Sequence, residues 1–188
     1  YAQDKTISRI ESVQSLYIEL FRDNQFLGKA TGFVIKPLKK SYLITNWHVV
    51  TNKNPENGEW LNPKIPIAPN LVKILHNGTT LGSYTIKDEA LVDSSNKVRY
   101  TEFRYNQNIV DVIALPLTDT IQNVTLYPVN FNETADSLVI QPTDRVFVLG
   151  FPKGFRSAPA FPIWKSGLIA SEPDFDQEGK PILWIDIF

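Results

Sequence analysis

The chain has two histidines, His48 and His76, and no cysteine. His48 follows an apolar run and a polar turn in "SYLITNWHVV" (41–50). An imidazole titrates near neutrality, so it can take a proton from a weak nucleophile and return it to a leaving group. That use needs a carboxylate to orient the ring, and Asp111 is the best candidate. It opens the apolar stretch "VIALPL" (112–117), where a charge is costly unless it meets a donor such as an imidazole N–H. The other acids fall mostly in polar loops. Spacing alone leaves the matter open, because a histidine beside a tryptophan is more often structural and an aspartate at a strand start is more often a turn residue. His76, in "LHNGTT" (75–80), reads as a turn or surface residue.

Strands must position these side chains. Short runs rich in Val, Ile, Tyr and Phe recur between turn formers: "SLYIELF" (15–21), "ATGFVIKP" (30–37), "LVKILHNG" (71–78) and "VDVIALPL" (110–117). A later group comprises "RVFVLGFP" (145–152), "PIWKSGLIAS" (162–171) and "ILWIDIF" (182–188). The pattern predicts an all-β chain, and "DQEGKP" (176–181) predicts a turn that pairs the last two runs. The 13 prolines argue against long helices. A polar, irregular stretch separates the groups, which gives a first unit over 1–120, a connector over 121–144 and a second unit over 145–188. The Asn- and Pro-rich stretch 51–70 reads as a long insertion, functional or mobile. "EPDFDQE" (172–178) lacks the spacing and central glycine of a calcium loop and reads as a solvated hairpin tip. The Asn-x-Thr triplets at Asn77, Asn123 and Asn132 carry weight only in a secretory compartment.

Bulk properties narrow the function classes. A chain of 188 residues buries roughly 70% of its unfolded surface by size scaling, enough for a substantial core. The net charge of −1 gives no electrostatic reason to expect nucleic acid or an anionic membrane as partner. Without cysteine, thiolate nucleophiles, zinc-thiolate sites and disulfides are excluded. No apolar run approaches the ~18 residues of a membrane span. No start Met, charged n-region or apolar h-region opens the chain at Tyr1, which reads as a soluble piece whose natural N-terminus has been removed. Periplasm, secretion and cytoplasm all fit.

Five segments in this order, "GKATGFVIK", "YLITNWHVV", "DVIALPL", "VLGFPKG" and "WKSGLIAS", resemble the trypsin-like serine peptidases. The likeness is greatest to their bacterial, cysteine-free branch related to the high-temperature-requirement proteases. The resemblance implies two six-stranded antiparallel β-barrels, the second incomplete in this chain. It implies that His48 is the triad histidine and Asp111 the triad aspartate, with no metal or organic cofactor and a protein or peptide as substrate. It further suggests that Gly32 permits close backbone approach or marks a bulge, that "GFPKG" (150–154) is an architectural turn, and that Gly167 sits at a bend. Ser166 and Ser171 read as ordinary strand residues.

The family nucleophile sits in a Gly-x-Ser-Gly turn whose backbone N–H groups also bind the oxyanion. No such turn occurs between Tyr1 and Phe188. The expectation is therefore a serine supplied from outside these residues, by a further C-terminal segment or a second polypeptide that also completes the second barrel. The polypeptide alone is then inactive. Two alternatives remain: a pseudopeptidase that keeps the shell for binding protein, and a cysteine-nucleophile variant whose Cys also lies outside these residues.

Overall fold

An interior strand of the first sheet shows how the alternation in "SLYIELF" is used. Leu16, Ile18 and Leu20 are buried on one face, and Tyr17 is buried on the other. A strand apolar on both faces must be covered on both. In the computed structural model, which describes residues 6–118, 122–130, 139–157 and 160–187, this strand is β1 (Ser15–Arg22). The other strands are β2 (Gln25–Ile35), β3 (Tyr42–Thr45), β4 (Leu71–Asn77), β5 (Tyr84–Ala90), β6 (Thr101–Tyr105), β7 (Asn108–Pro116), β8 (Arg145–Gly150), β9 (Ile163–Ile169) and β10 (Ile185–Ile187). Among the described residues helix is confined to α1 (Glu11–Gln14), α2 (Trp47–Thr51) and a 3₁₀ turn at Pro152–Gly154. The chain is all-β, and every strand pairing is antiparallel.

Seven strands form the first sheet in the order β5-β4-β1-β2-β3-β7-β6. It carries a buried cluster built on Ile18, Val34, Leu43, Ile74, Leu91, Ile113 and Leu115. The ladder stays open, but its two edges converge on one hairpin. There Val92 bridges to Val98, and the Arg99 N–H donates to Leu91 O at 2.9 Å. Gly32 serves close approach: a Cβ there would lie 2.8 Å from Leu43 Cδ1 and 3.1 Å from Ile44 O, and β2 keeps its register through this point.

The second sheet has three described strands, β10-β9-β8. Gly167 lies in register inside β9, opposite Val146 and Ile187, and not at a bend. Its missing side chain clears Asp186 O, which a Cβ would meet at 2.5 Å. Ser166 is a strand residue opposite Phe147. Ser171 lies past the end of β9, where its Oγ accepts the Trp184 N–H at 3.0 Å. The two sheets meet where Tyr17 packs edge-on to Phe151, with ring centroids 5.3 Å apart. The Phe151 N–H donates to Thr31 Oγ1 there at 3.0 Å. The described part of the connector, 122–130, runs along the first sheet, with Val129 N–H donating to Val34 O and Thr125 N–H to Asn77 O. Asn132 lies outside the described residues.

Two further expectations need correction. His76 is 1% exposed, not a surface residue. It shares the inward face of β4 with Val72 and Ile74, since residues two apart point the same way. Neither ring nitrogen has a hydrogen-bond partner among the described residues, and burial, with Lys87 adding repulsion, pushes its pKa down to about 4. The 51–70 segment is also better organised than its composition suggests. Asn54, Asn57 and Asn62 each accept, through the side chain, the N–H two residues on, a local turn that asparagine favours.

Candidate active site

The site begins at the end of β3. Thr45 is buried and its Oγ1 donates to Thr31 O at 2.8 Å, which fixes the strand's end against β2. Asn46 then takes an extended conformation (φ −72°, ψ 147°) and α2 follows for five residues. The helix stops at Asn52, which adopts the left-handed conformation (φ 56°) that asparagine tolerates. Within that single turn Trp47, Val50 and Thr51 are buried. The Trp47 Nε1–H donates to Glu102 Oε1 at 2.7 Å and so ties α2 to β6. His48, left on the outer side, keeps 39% of its side chain exposed.

Asp111 reaches the ring from β7. In the β6–β7 pairing Glu102 stands opposite Ile113 and Phe103 opposite Val110, so Asp111 and Val112 form a bulge. A bulge re-aims a side chain and takes its backbone out of the ladder. Both effects are visible: Asn46 Nδ2 donates to Asp111 O at 3.0 Å, and the carboxylate turns onto α2. Its Oδ2 lies 2.7 Å from His48 Nδ1, and its Oδ1 accepts the His48 backbone N–H at 2.9 Å. Asn46 Nδ2 adds a bond to Oδ2 at 3.2 Å.

These contacts set the chemistry. Burial pushes the Asp111 carboxyl up, but the ring and backbone N–H bonds from His48 together outweigh it, Asn46 assists, and the pKa lies below its ordinary value. An ionised carboxylate only accepts, so the proton of a neutral His48 ring sits on Nδ1 and the lone pair on Nε2. Among the described residues Nε2 has no hydrogen-bond partner. His48 also borders a cavity of about 170 Å³ with Leu27, Lys29, Val49 and Leu61, so there is free space beside the ring.

The structure thus brings together the two residues singled out in the sequence and keeps His76 apart, buried on the inward face of β4. Sequence reasoning missed Asn46 and Glu102. The polar Thr45-Asn46 turn before His48 was the available sign of the first. Glu102 has no sign of its own, since its tie to Trp47 depends on strand pairing.

No curated protein matches the chain. A family model described as trypsin-like peptidase domain matches residues 30–184, a span that contains α2, the β7 bulge and most of the second sheet. With that match over the greater part of its length, the chain belongs to the trypsin-like peptidase domain family.

Proposed function

We propose that the chain is the His–Asp portion of a serine endopeptidase, of the cysteine-free branch related to the high-temperature-requirement proteases. The observation that carries this reading is the double bond-up of Asp111 to one residue, through ring and backbone N–H of His48 at 2.7 and 2.9 Å. Two contacts to one residue fix both the tautomer and the tilt of the ring. Asp111 then stabilises the imidazolium that forms when Nε2 takes a proton from a hydroxyl. The deprotonated hydroxyl attacks a peptide carbonyl, His48 returns the proton to the leaving amine, and water repeats the cycle on the acyl-enzyme.

The serine comes from outside residues 1–188, in a Gly-x-Ser-Gly turn carried by a further C-terminal segment or a second polypeptide. The same segment covers the second sheet, where Phe147 is 56% and Trp184 59% exposed, more apolar surface than a sheet normally leaves to water. The 188 residues alone are inactive. The alternative reading is a pseudopeptidase that binds protein through the shell.

A fluorophosphonate probe applied to the gene product extended past Phe188 separates the two. The peptidase reading expects one labelled serine and no labelling in His48→Ala. Absence of any Gly-x-Ser-Gly downstream, or labelling indifferent to His48→Ala, rejects it.

A further inference from the structure

The turn between β2 and β3, "KPLKKS" (36–41), places three lysines around Leu38. Leu38 is 97% exposed and its backbone is left-handed (φ 58°), a conformation that bulky residues rarely adopt. Water gives a leucine no reason to stand there, and glycine would hold the same backbone at less cost. The turn that follows Leu91 lies alongside. Lys40 lines one groove of about 550 Å³ with Lys97 and Val98, and Val98 is 46% exposed. The Leu117 N–H donates to Ser41 O at 3.0 Å, which holds the first turn to the end of β7. Among the described residues none of the ammonium groups of Lys36, Lys39, Lys40 and Lys97 is in an ion pair. Asp93 lines the same groove and offsets one of these charges, and its Oδ1 is already engaged by the N–H groups of Ser95 and Lys97. Glu89 is buried, accepts two bonds from Thr118 and lies 3.9 Å from Arg99. The whole-chain charge of −1 thus hides a local positive surface with two apolar tips.

We propose that these two turns dock the chain on an anionic lipid bilayer, with Leu38 and Val98 entering the interface and the lysines lying among the headgroups. Lysine suits this place, because its stem follows apolar surface while its head stays with charge. A nucleic acid would satisfy the lysines but offers an exposed leucine nothing, and a protein partner would need a pocket matched to the tip, whereas a fluid interface needs none. Basic residues and apolar tips attract such a surface by separate terms that add. The placement also suits the rest of the molecule. In the β3–β7 pairing Tyr42 stands opposite Pro116 and Thr45 opposite Ile113, so His48 and Asp111 lie toward the other end of these strands. From Ser41 to Asn46 that is roughly 16 Å at the rise of a strand, and docking leaves the His48–Asp111 pair facing water. The surface is independent of the peptidase reading.

Flotation of the 188-residue chain with vesicles tests this. Binding is expected to vesicles of phosphatidylglycerol and phosphatidylcholine in equal parts and not to phosphatidylcholine alone, and added salt should weaken it. Lys39→Gln with Lys40→Gln should lower the partition coefficient roughly 25-fold, at about five-fold for each cation, and Leu38→Ser roughly 10-fold. All three residues are exposed, so these substitutions leave the fold intact. Absence of binding overturns the proposal. So does binding that the substitutions leave untouched, which belongs to the exposed apolar residues of the second sheet. Binding that the lysines control and Leu38→Ser does not also overturns it, in favour of a site for polyanions such as duplex DNA. Because the chain has no cysteine, Leu38→Cys accepts a single environment-sensitive dye. Its emission should shift to the blue on the mixed vesicles, while a dye on Asn57→Cys, in the segment that follows α2, should keep its emission in water. A shift at both positions, or at neither, overturns the docking.

Discussion

His48 and His76 carry the same imidazole and meet opposite conditions. His48 stands on a one-turn helix at the sheet's rim, keeps 39% of its side chain exposed and faces a carboxylate at 2.7 Å. His76 stands on the buried face of β4, 1% exposed, with neither nitrogen partnered among the described residues. Burial without a partner drives the second ring to its neutral form, down to about 4. The first ring combines a fixed Nδ1 donor with a cavity that His48 itself lines. A reactive imidazole therefore needs both a fixed partner and an approach, and only one of the two has them.

The comparison breaks most sharply by deletion. In the extended, serine-bearing product His48→Ala should lower kcat on the order of 10⁶-fold, measured on a peptide substrate, whereas His76→Leu should leave kcat within about two-fold of the parent. A large loss in His76→Leu would erase the distinction. Next in size, Asp111→Asn keeps the shape but presents an amide that can donate to Nδ1, and it should cost roughly 10⁴-fold by favouring the wrong tautomer.

Stability against pH sharpens the contrast on the 188-residue chain itself. Between pH 6.5 and about 4 the unfolded chain binds a proton at His76 that the folded chain does not. Stability must fall as pH drops through that window, by about 3 kcal/mol at most. Asp111 acts elsewhere. Its folded pKa lies below 3.8, so its contribution is present above that value and is lost only as pH falls through the folded pKa. Urea melts from pH 7 downward should show the His76 loss in the parent and lack it in His76→Leu, while the Asp111 loss comes at lower pH in both. The smallest effect is expected of Asn46→Ala, which removes one donor from Asp111. The loss of about 1 kcal/mol corresponds to roughly five-fold in kcat/KM.

The strands and the His48–Asp111 pair were legible because each rests on local chemistry: alternating apolar runs for the strands, and for the pair an imidazole after a polar turn and a charge opening "VIALPL". What escaped depends on pairing. The bulge at Asp111–Val112 exists only relative to Glu102 and Phe103, and without it the carboxylate's aim and the bond from Asn46 have no cause. His76 was misread because "HNGTT" looks like a turn, whereas its own strand places it two residues from buried Ile74. Gly167 was misread for the same reason: the neighbour that forbids a side chain there is Asp186, on another strand.

The central claim is that Asp111 holds the proton of His48 on Nδ1 and frees Nε2 to accept another. Nitrogen-15 NMR of the two rings in the 188-residue chain, above the pH at which histidine titrates, reads this without any serine. For His48 a protonated Nδ1 and an unprotonated Nε2 are predicted, with the preference lost in Asp111→Ala. A ring protonated at Nε2, or a mixture of tautomers indifferent to Asp111→Ala, would contradict it.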